Sequence, residues 1–334
     1  MTAAAFFKLT ENAPYAELLA EVSLEVEEVE KELQRQVGST VSMVEDIGSL
    51  TLKAGGKRLR PAFVTLAAKA TGKEFDVQRA RKLGAAMEMI HMATLIHDDV
   101  IDHSPTRRGQ PTAGSVYGAT GSILTGDVLL AKSMVILAQD GDLEVIRTVS
   151  QMVVEMAEGE VAELEARGCF DLPEDEHLEI LRRKTAAFIQ CCCVVGALIA
   201  GAPVQSLSDY GYHVGMAFQI ADDLLDYRGS LKNIGKPVAG DFREAQATLP
   251  LILLRPHLTI EERDFVSRKF GNGVTEDEVA MISRWMDDRG AFTASEEAAK
   301  AHIANALTCL ENLPETPARL LLKSVADYVL TRDR

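Results

Sequence analysis

A chain of 334 residues with 47% hydrophobic residues and a net charge of −15 has room for one large helical domain or two ordinary ones. The acidic balance argues against a nucleic-acid-binding surface, which needs clustered positive charge. A single Trp and few aromatics leave a core of Ala, Leu, Val, Ile and Met.

In chain order nearly every segment reads as helix. Residues 15–37 are amphipathic and strongly acidic. Residues 39–54 and 61–70 follow, the second opened by Pro61 at a first-turn position. Residues 77–102 form a long helical pattern. Two prolines and two glycines make 104–114 a loop. Helical patterns resume over 122–139 and 143–167, then from Asp171 to about Ala200, and over 204–228. A Gly/Lys/Pro loop spans 229–241, and shorter helices end with 317–331. No run alternates long enough for a strand, and no linker or change of composition marks a boundary. The expectation is one all-α domain over 1–334, a helical bundle with a deep central cavity, preceded by a loosely ordered segment at 1–14.

The five cysteines include the run Cys191, Cys192, Cys193, with no disulfide or metal spacing. They read as buried reduced thiols in a reducing compartment. The opening MTAAAFFKLTENAPY has no signal-peptide pattern. The longest apolar stretch, around residues 191–202, is too short to span a bilayer. A cytoplasmic location without a transmembrane segment is expected.

The pentad Asp-Asp-x-x-Asp occurs twice, as Asp98, Asp99, Asp102 and as Asp222, Asp223, Asp226, each time ending a long helical pattern. On a helix, positions i, i+1 and i+4 share one side, so each pentad gathers three carboxylates whose repulsion is costly without cations. Hard oxygen donors without His or Cys suit Mg²⁺, which keeps waters and bridges to substrate phosphates. Basic residues lie near the pentads or behind a glycine-rich turn: Lys57 and Arg60 after the Gly55-Gly56 pair, Arg107-Arg108 after the first pentad, Lys184-Thr185, and Lys236 after the second. Cations beside carboxylate pentads point to a Mg²⁺-bridged diphosphate. No P-loop, Gly-x-Ser-x-Gly or Cys/His nucleophile pattern is present. Glu88-x-x-His91 and Glu174-x-x-His177 match the ligand pair of di-iron bundles, a rival that leaves the pentads and arginines unexplained.

The segments GGKRLRP (55–61), LIHDDVIDHSPTRRGQPT (95–112), FQIADDLLD (218–226) and GKPVAGDFREAQATLP (235–250) resemble the signature segments of the trans-polyprenyl diphosphate synthases. The likeness runs over essentially the whole chain. It implies an isoprenoid-synthase-type fold, a homodimer, and head-to-tail condensation of isopentenyl diphosphate onto an allylic diphosphate such as farnesyl or geranylgeranyl diphosphate. By the same resemblance, Asp98, Asp102 and Asp222 bind Mg²⁺, about three ions per active site with substrate bound. Asp99, Asp223 and Asp226 support them. Arg107, Lys184 and Lys236 hold the allylic diphosphate; Lys57, Arg60, His91 and Arg108 hold isopentenyl diphosphate; Thr185 and Gln219 line the reacting centre. Transient membrane contact during product release is compatible with this reading. The family pattern often carries a lysine where this chain has Gln246, which bears on allylic binding strength.

Small residues one turn before Asp98, Ala93 and Thr94, leave a product tunnel open where short-chain members of that family tend to carry an aromatic ring. Met89 and Ile90 come next. A helix turn rises about 5.4 Å, roughly one isoprene unit, so the expected product is long, about C35 to C50, with a geranylgeranyl-length product as the alternative. A non-catalytic partner subunit would show eroded pentads, and a terpene cyclase would have no need of a second diphosphate site.

Overall fold

The computed structural model describes residues 16–56, 58–228 and 238–331. The 1–14 segment lies outside them. The described chain is all-α apart from one pair of two-residue strands, and it divides into two compact units. The first comprises Met1–Val149, Cys192–Gln205 and Leu313–Leu322; the second comprises Ser150–Cys191, Ser206–Asn312 and Lys323–Arg334.

The first unit contains α1 (Ala16–Val37), α2 (Ser42–Lys53), α3 (Leu59–Ala70), α4 (Val77–Ile101) and α5 (Ala113–Asp140). Val22, Val26, Val29, Leu33 and Val37 recur every three or four residues along α1, and all are buried. Acidic residues on its flank reach outward instead, as where Glu25 accepts from Arg81 Nε at 2.6 Å. Asp76 caps α4 by accepting from the amides of Gln78 and Arg79 at 2.8 and 3.1 Å. Arg79 then forks onto Asp140 at 2.7 and 2.8 Å and onto Asp142 at 2.8 Å. The start of α4 is thereby fixed to the end of α5, and the long α4/α5 pair orients the first aspartate set.

The second unit contains most of α6 (Leu143–Ala166), then α7 (Glu174–Leu181), a π-helical turn (Arg182–Ala186), and the start of α8 (Ala187–Ile199). It continues with α9 (Gln205–Arg228), α10 (Leu249–Leu254), α11 (Ile260–Lys269), α12 (Glu276–Asp288), α13 (Ala291–Leu310) and the end of α14 (Pro317–Thr331). Its core stacks Phe170 and Phe242 edge-on against Phe270, with ring centroids 5.7 and 5.4 Å apart. Two glycines permit the close packing around the π turn. A Cβ on Gly159 would lie 2.8 Å from the Arg183 side chain, and one on Gly215 would lie 2.5 Å from Ala186 Cα. Capping boxes at Thr259/Glu262 and Thr275/Glu278 start α11 and α12.

Three local expectations are corrected. The loop at 104–114 contains a hairpin, with Thr106 paired to Pro111 and Arg107 to Gln110. Its turn residues Arg108 and Gly109 both have positive φ, 51° and 74°, as a two-residue hairpin turn requires. The helix expected from Asp171 begins at Glu174 and is broken by the π turn before α8. The helix expected at 122 begins at Ala113 and is kinked at Gly118, where φ is 80°. As a result α5, with a mean hydropathy of 1.5 over its apolar window, is long and apolar enough to cross a membrane by length and composition, and 39% of that window is buried. The sequence reading missed it because glycines, serines and threonines interrupt the apolar run.

The run of cysteines lies within α8, where Cys192 and Cys193 are fully buried and burial pushes both thiols above their ordinary range.

One histidine pair gives this unit a pH response. His213 Nδ1 and His302 Nδ1 lie 2.9 Å apart, so one neutral ring donates to the other. Burial, and then the neighbouring His213, lower His302 from 6.5 to about 4; burial also lowers His213, opposed by Asp209. Between these values the unfolded chain binds protons that the folded chain refuses, so stability falls as pH drops from about 6.5 towards 4. Melting temperature should decline less steeply over that window in His302→Gln than in the wild type.

Candidate active site

The first aspartate set closes α4. Asp102 caps the helix with its amide donating to the Asp98 carbonyl at 2.8 Å, which keeps Asp98 and Asp102 on one face. Asp99 is buried, 7% exposed, and accepts from Arg107 Nε at 2.7 Å. The hairpin thus returns Arg107 to the pentad, while the Arg108 guanidinium donates to the Gly55 carbonyl. A cleft in this unit is lined by Gly55, Leu95, Asp99, Arg107 and Arg108 among others.

Arg58, absent from the candidate set, turns out to be the anchor of the glycine-rich turn. It adopts φ 49° and is buried. It donates to Glu88 Oε1 at 2.9 Å, Glu30 Oε1 at 3.2 Å and the Leu52 carbonyl at 3.1 Å. A buried guanidinium needs such partners, and Glu88 is committed here rather than to a metal. A Cβ on Gly56 would lie 3.1 Å from Arg58 Nη1 and 3.3 Å from Arg108 Nη1, so the glycine lets both arginines approach the turn. Burial, followed by the charges of Arg60, Arg108, Arg107 and Arg58, pushes His91 well below its ordinary range. His91 is therefore neutral at pH 7 inside a field of four arginines, and that field would attract an anion. Lys57 lies outside the described residues.

In the second unit the π turn sorts three consecutive cations. Arg182 donates to Glu179 and Glu155, and Arg183 to Glu179 and Glu158. Hydrogen bonding from Arg182 outweighs burial and holds Glu179 at about 2. Lys184 is directed elsewhere, onto Glu160 at 3.0 Å and onto Glu163. Burial opposes its charge, yet the two carboxylates hold the ammonium above its ordinary range. Thr185 Oγ1 donates to Gln219 Oε1 at 3.0 Å, and Gln219 Nε2 approaches Asp223 Oδ1 at 3.5 Å. The other oxygen of Asp223 accepts from His177 Nε2 at 3.0 Å.

Asp226 accepts from the amides of Gly240 and Asp241 at 3.0 and 3.1 Å. Burial, only partly relieved by those amides, raises its pKa. Asp241 is raised further, by burial and then by Asp226 and Asp223. Asp223, Asp226 and Asp241 thus disfavour one another's ionised forms, a crowding that a bound cation would relieve. The cleft beside it is lined by Glu163, His177, Gln219, Asp223, Asp241 and Gln246. Lys236 lies outside the described residues.

The donor set suits Mg²⁺. Asp98 and Asp222 are half-buried and Asp102 is exposed, so none of the three is closed off from solvent. Among the described residues no three His, Cys, Asp or Glu side chains form a ready cage. Mg²⁺ is usually held by one or two carboxylates, waters and substrate phosphates rather than by an all-protein cage.

Sequence reasoning missed Arg58, Glu160, Glu163, His177 and Asp241 as parts of these clusters. Asp241 lies inside the quoted 235–250 segment, and its carboxylate was the available signal. Nothing in the order of residues pairs Glu160 and Glu163 with Lys184, which meets them only in the fold.

The polyprenyl synthetase family profile matches residues 41–285. The chain is 36% identical over 308 residues to heptaprenyl diphosphate synthase component 2 of Geobacillus stearothermophilus, covering 91% of this chain and 95% of that one. It superposes on the crystal structure of a decaprenyl diphosphate synthase from Rhodobacter capsulatus with a TM-score of 0.89 at 35% identity, covering 96% and 100% of the two chains. It superposes also on a polyprenyl synthase from Caulobacter crescentus complexed with calcium and isoprenyl diphosphate, with a TM-score of 0.87 at 32% identity, covering 96% and 98%. The chain belongs to the polyprenyl synthetase family, with its all-α isoprenoid synthase fold, and is a prenyltransferase of the long-chain trans type.

Proposed function

We propose that this enzyme condenses isopentenyl diphosphate head-to-tail with an allylic diphosphate, farnesyl or geranylgeranyl diphosphate, to give all-trans products of about C35 to C50. The observation that carries the site assignment is the aspartate set in each unit, one set beside Arg107 and the other in the unit that carries Lys184. In this reading Asp98, Asp102 and Asp222 hold Mg²⁺, which when bound neutralises charge on the departing diphosphate and favours ionisation of the allylic C–O bond. Arg107, Lys184 and Lys236 orient the allylic diphosphate. Lys57, Arg60, His91 and Arg108 take isopentenyl diphosphate, to which a neutral His91 contributes a hydrogen bond rather than a charge. Thr185 and Gln219, already bonded to each other, shape the wall beside the reacting carbons. No side chain acts as a strong base, because the released diphosphate can accept the proton. The Caulobacter crescentus relative, complexed with calcium and isoprenyl diphosphate, supports the choice of a divalent cation.

The exposed apolar side chains Val116, Ile123, Leu124 and Val135 on α5 support a homodimer formed over that helix. A cytoplasmic enzyme, in transient contact with a membrane when its apolar product leaves, completes the reading. The test is to incubate the purified chain with Mg²⁺, isopentenyl diphosphate and each allylic primer in turn, then chromatograph the dephosphorylated products. Long prenyl alcohols from the chain alone are expected. Activity appearing only with a second polypeptide would make it one component of a two-chain enzyme, a reading the component 2 relative keeps in view.

A further inference from the structure

We infer that His177 is a positioning residue for the second aspartate set, fixing Asp223 as a strut so that Asp222 and Asp226 keep their orientation. This rests on the reading of that set as metal and diphosphate ligands. Asp223 and His177 are both buried, with side chains 4% and 5% exposed, and their Nε2–Oδ2 distance is 3.0 Å. Gln219 approaches the other Asp223 oxygen and is itself held by Thr185. Both oxygens of Asp223 thus face protein groups.

The geometry is that of two rungs. Gln219 and Asp223 are four residues apart on one face of α9. His177 and Thr185 are eight apart, which on an unbroken α-helix leaves them about 80° out of line. The π turn at Arg182–Ala186 accommodates about one extra residue, which brings Thr185 back to within roughly 20° of His177. The same π turn carries Lys184. Two hydrogen bonds therefore lock the element bearing Lys184 against the helix bearing Asp222. A carboxylate buried only for packing would be better replaced by an apolar pair. This one sits next to Asp222 and lines the polar cleft with His177 and Asp241.

Because Asp223 accepts, His177 must donate from Nε2, and the test exploits that atom. His177→Gln places an amide N–H near the Nε2 position, His177→Asn falls short of it, and His177→Phe removes it. Each variant is measured for melting temperature, for the rise in melting temperature with Mg²⁺ and inorganic diphosphate, for the half-activating Mg²⁺ concentration, and for kcat and KM. His177→Phe and His177→Asn should lower kcat about 10- to 100-fold, the usual cost of losing an outer-shell partner. They should also raise the half-activating Mg²⁺ and lose most of the thermal response, while KM for isopentenyl diphosphate stays unchanged; His177→Gln should recover most of these. If His177→Phe fails to fold, the contrast between Gln and Asn carries the test. Wild-type Mg²⁺ dependence in folded His177→Asn, or equal defects in Gln and Asn, would overturn the inference. Asp222→Ala runs in parallel: if it keeps the response to Mg²⁺ and diphosphate, the underlying ligand reading fails instead.

Discussion

Asp98→Ala and Asp222→Ala should each lower kcat by about three orders of magnitude or more, the equivalent of ~4 kcal/mol of transition-state stabilisation. Asp98 and Asp222 are only half-buried, so removing their carboxylates opens no core cavity. The variants should therefore remain folded, and chelation by EDTA should abolish wild-type activity. The loss should fall mainly on kcat, because the charge these ligands oppose develops as the allylic bond ionises. A folded Asp98→Ala protein with near-normal turnover would remove the metal-bridging account.

The second large effect concerns product length. Ala93→Tyr should shift the product from about C35 or longer to about C15 to C20, with the first condensation retained. Ala93 lies one turn before Asp98 on α4 and is 2% exposed; Met89 and Ile90 are fully buried below it. Thr94 turns its hydroxyl back to the His91 carbonyl at 2.8 Å. A phenol ring at 93 would add bulk on the helix that ends at the first pentad while leaving every residue proposed to hold a diphosphate in place. Because the site is so tightly buried, the ring must displace neighbours, and some loss of thermal stability is expected. Chromatography of dephosphorylated products decides the matter: an unchanged distribution from a folded, active variant would mean that Ala93 only packs against a neighbouring helix.

Much of this architecture was legible beforehand because it is periodic. The valine stripe of α1, the proline-led α3 and the two pentads each state a helical face in the order of residues. What could not be read depends on contacts between distant residues. The π turn has no signature in Arg182-Arg183-Lys184-Thr185; nor does the order of residues tell that Glu155 and Glu158 on α6, with Glu179, pair with the two arginines while Glu160 and Glu163 take the lysine. His177 was legible only as half of a metal-ligand pattern, and its partner proved to be a carboxylate on α9. Arg58 lies unremarked inside GGKRLRP, and only the fold shows that a buried Glu88 thirty residues on makes it structural. Charge type could be read from sequence; charge allocation could not.

The burial of the α8 cysteines also sets how the protein meets oxidants. Sulfur is attacked as thiolate, and a thiol kept protonated and out of solvent offers almost none. Cys192 and Cys193 are therefore chemically silent while the fold is closed, whereas Cys169 is exposed. Oxidative damage to the native enzyme should begin at that peripheral site, and the sulfurs inside α8 become vulnerable only when that helix opens.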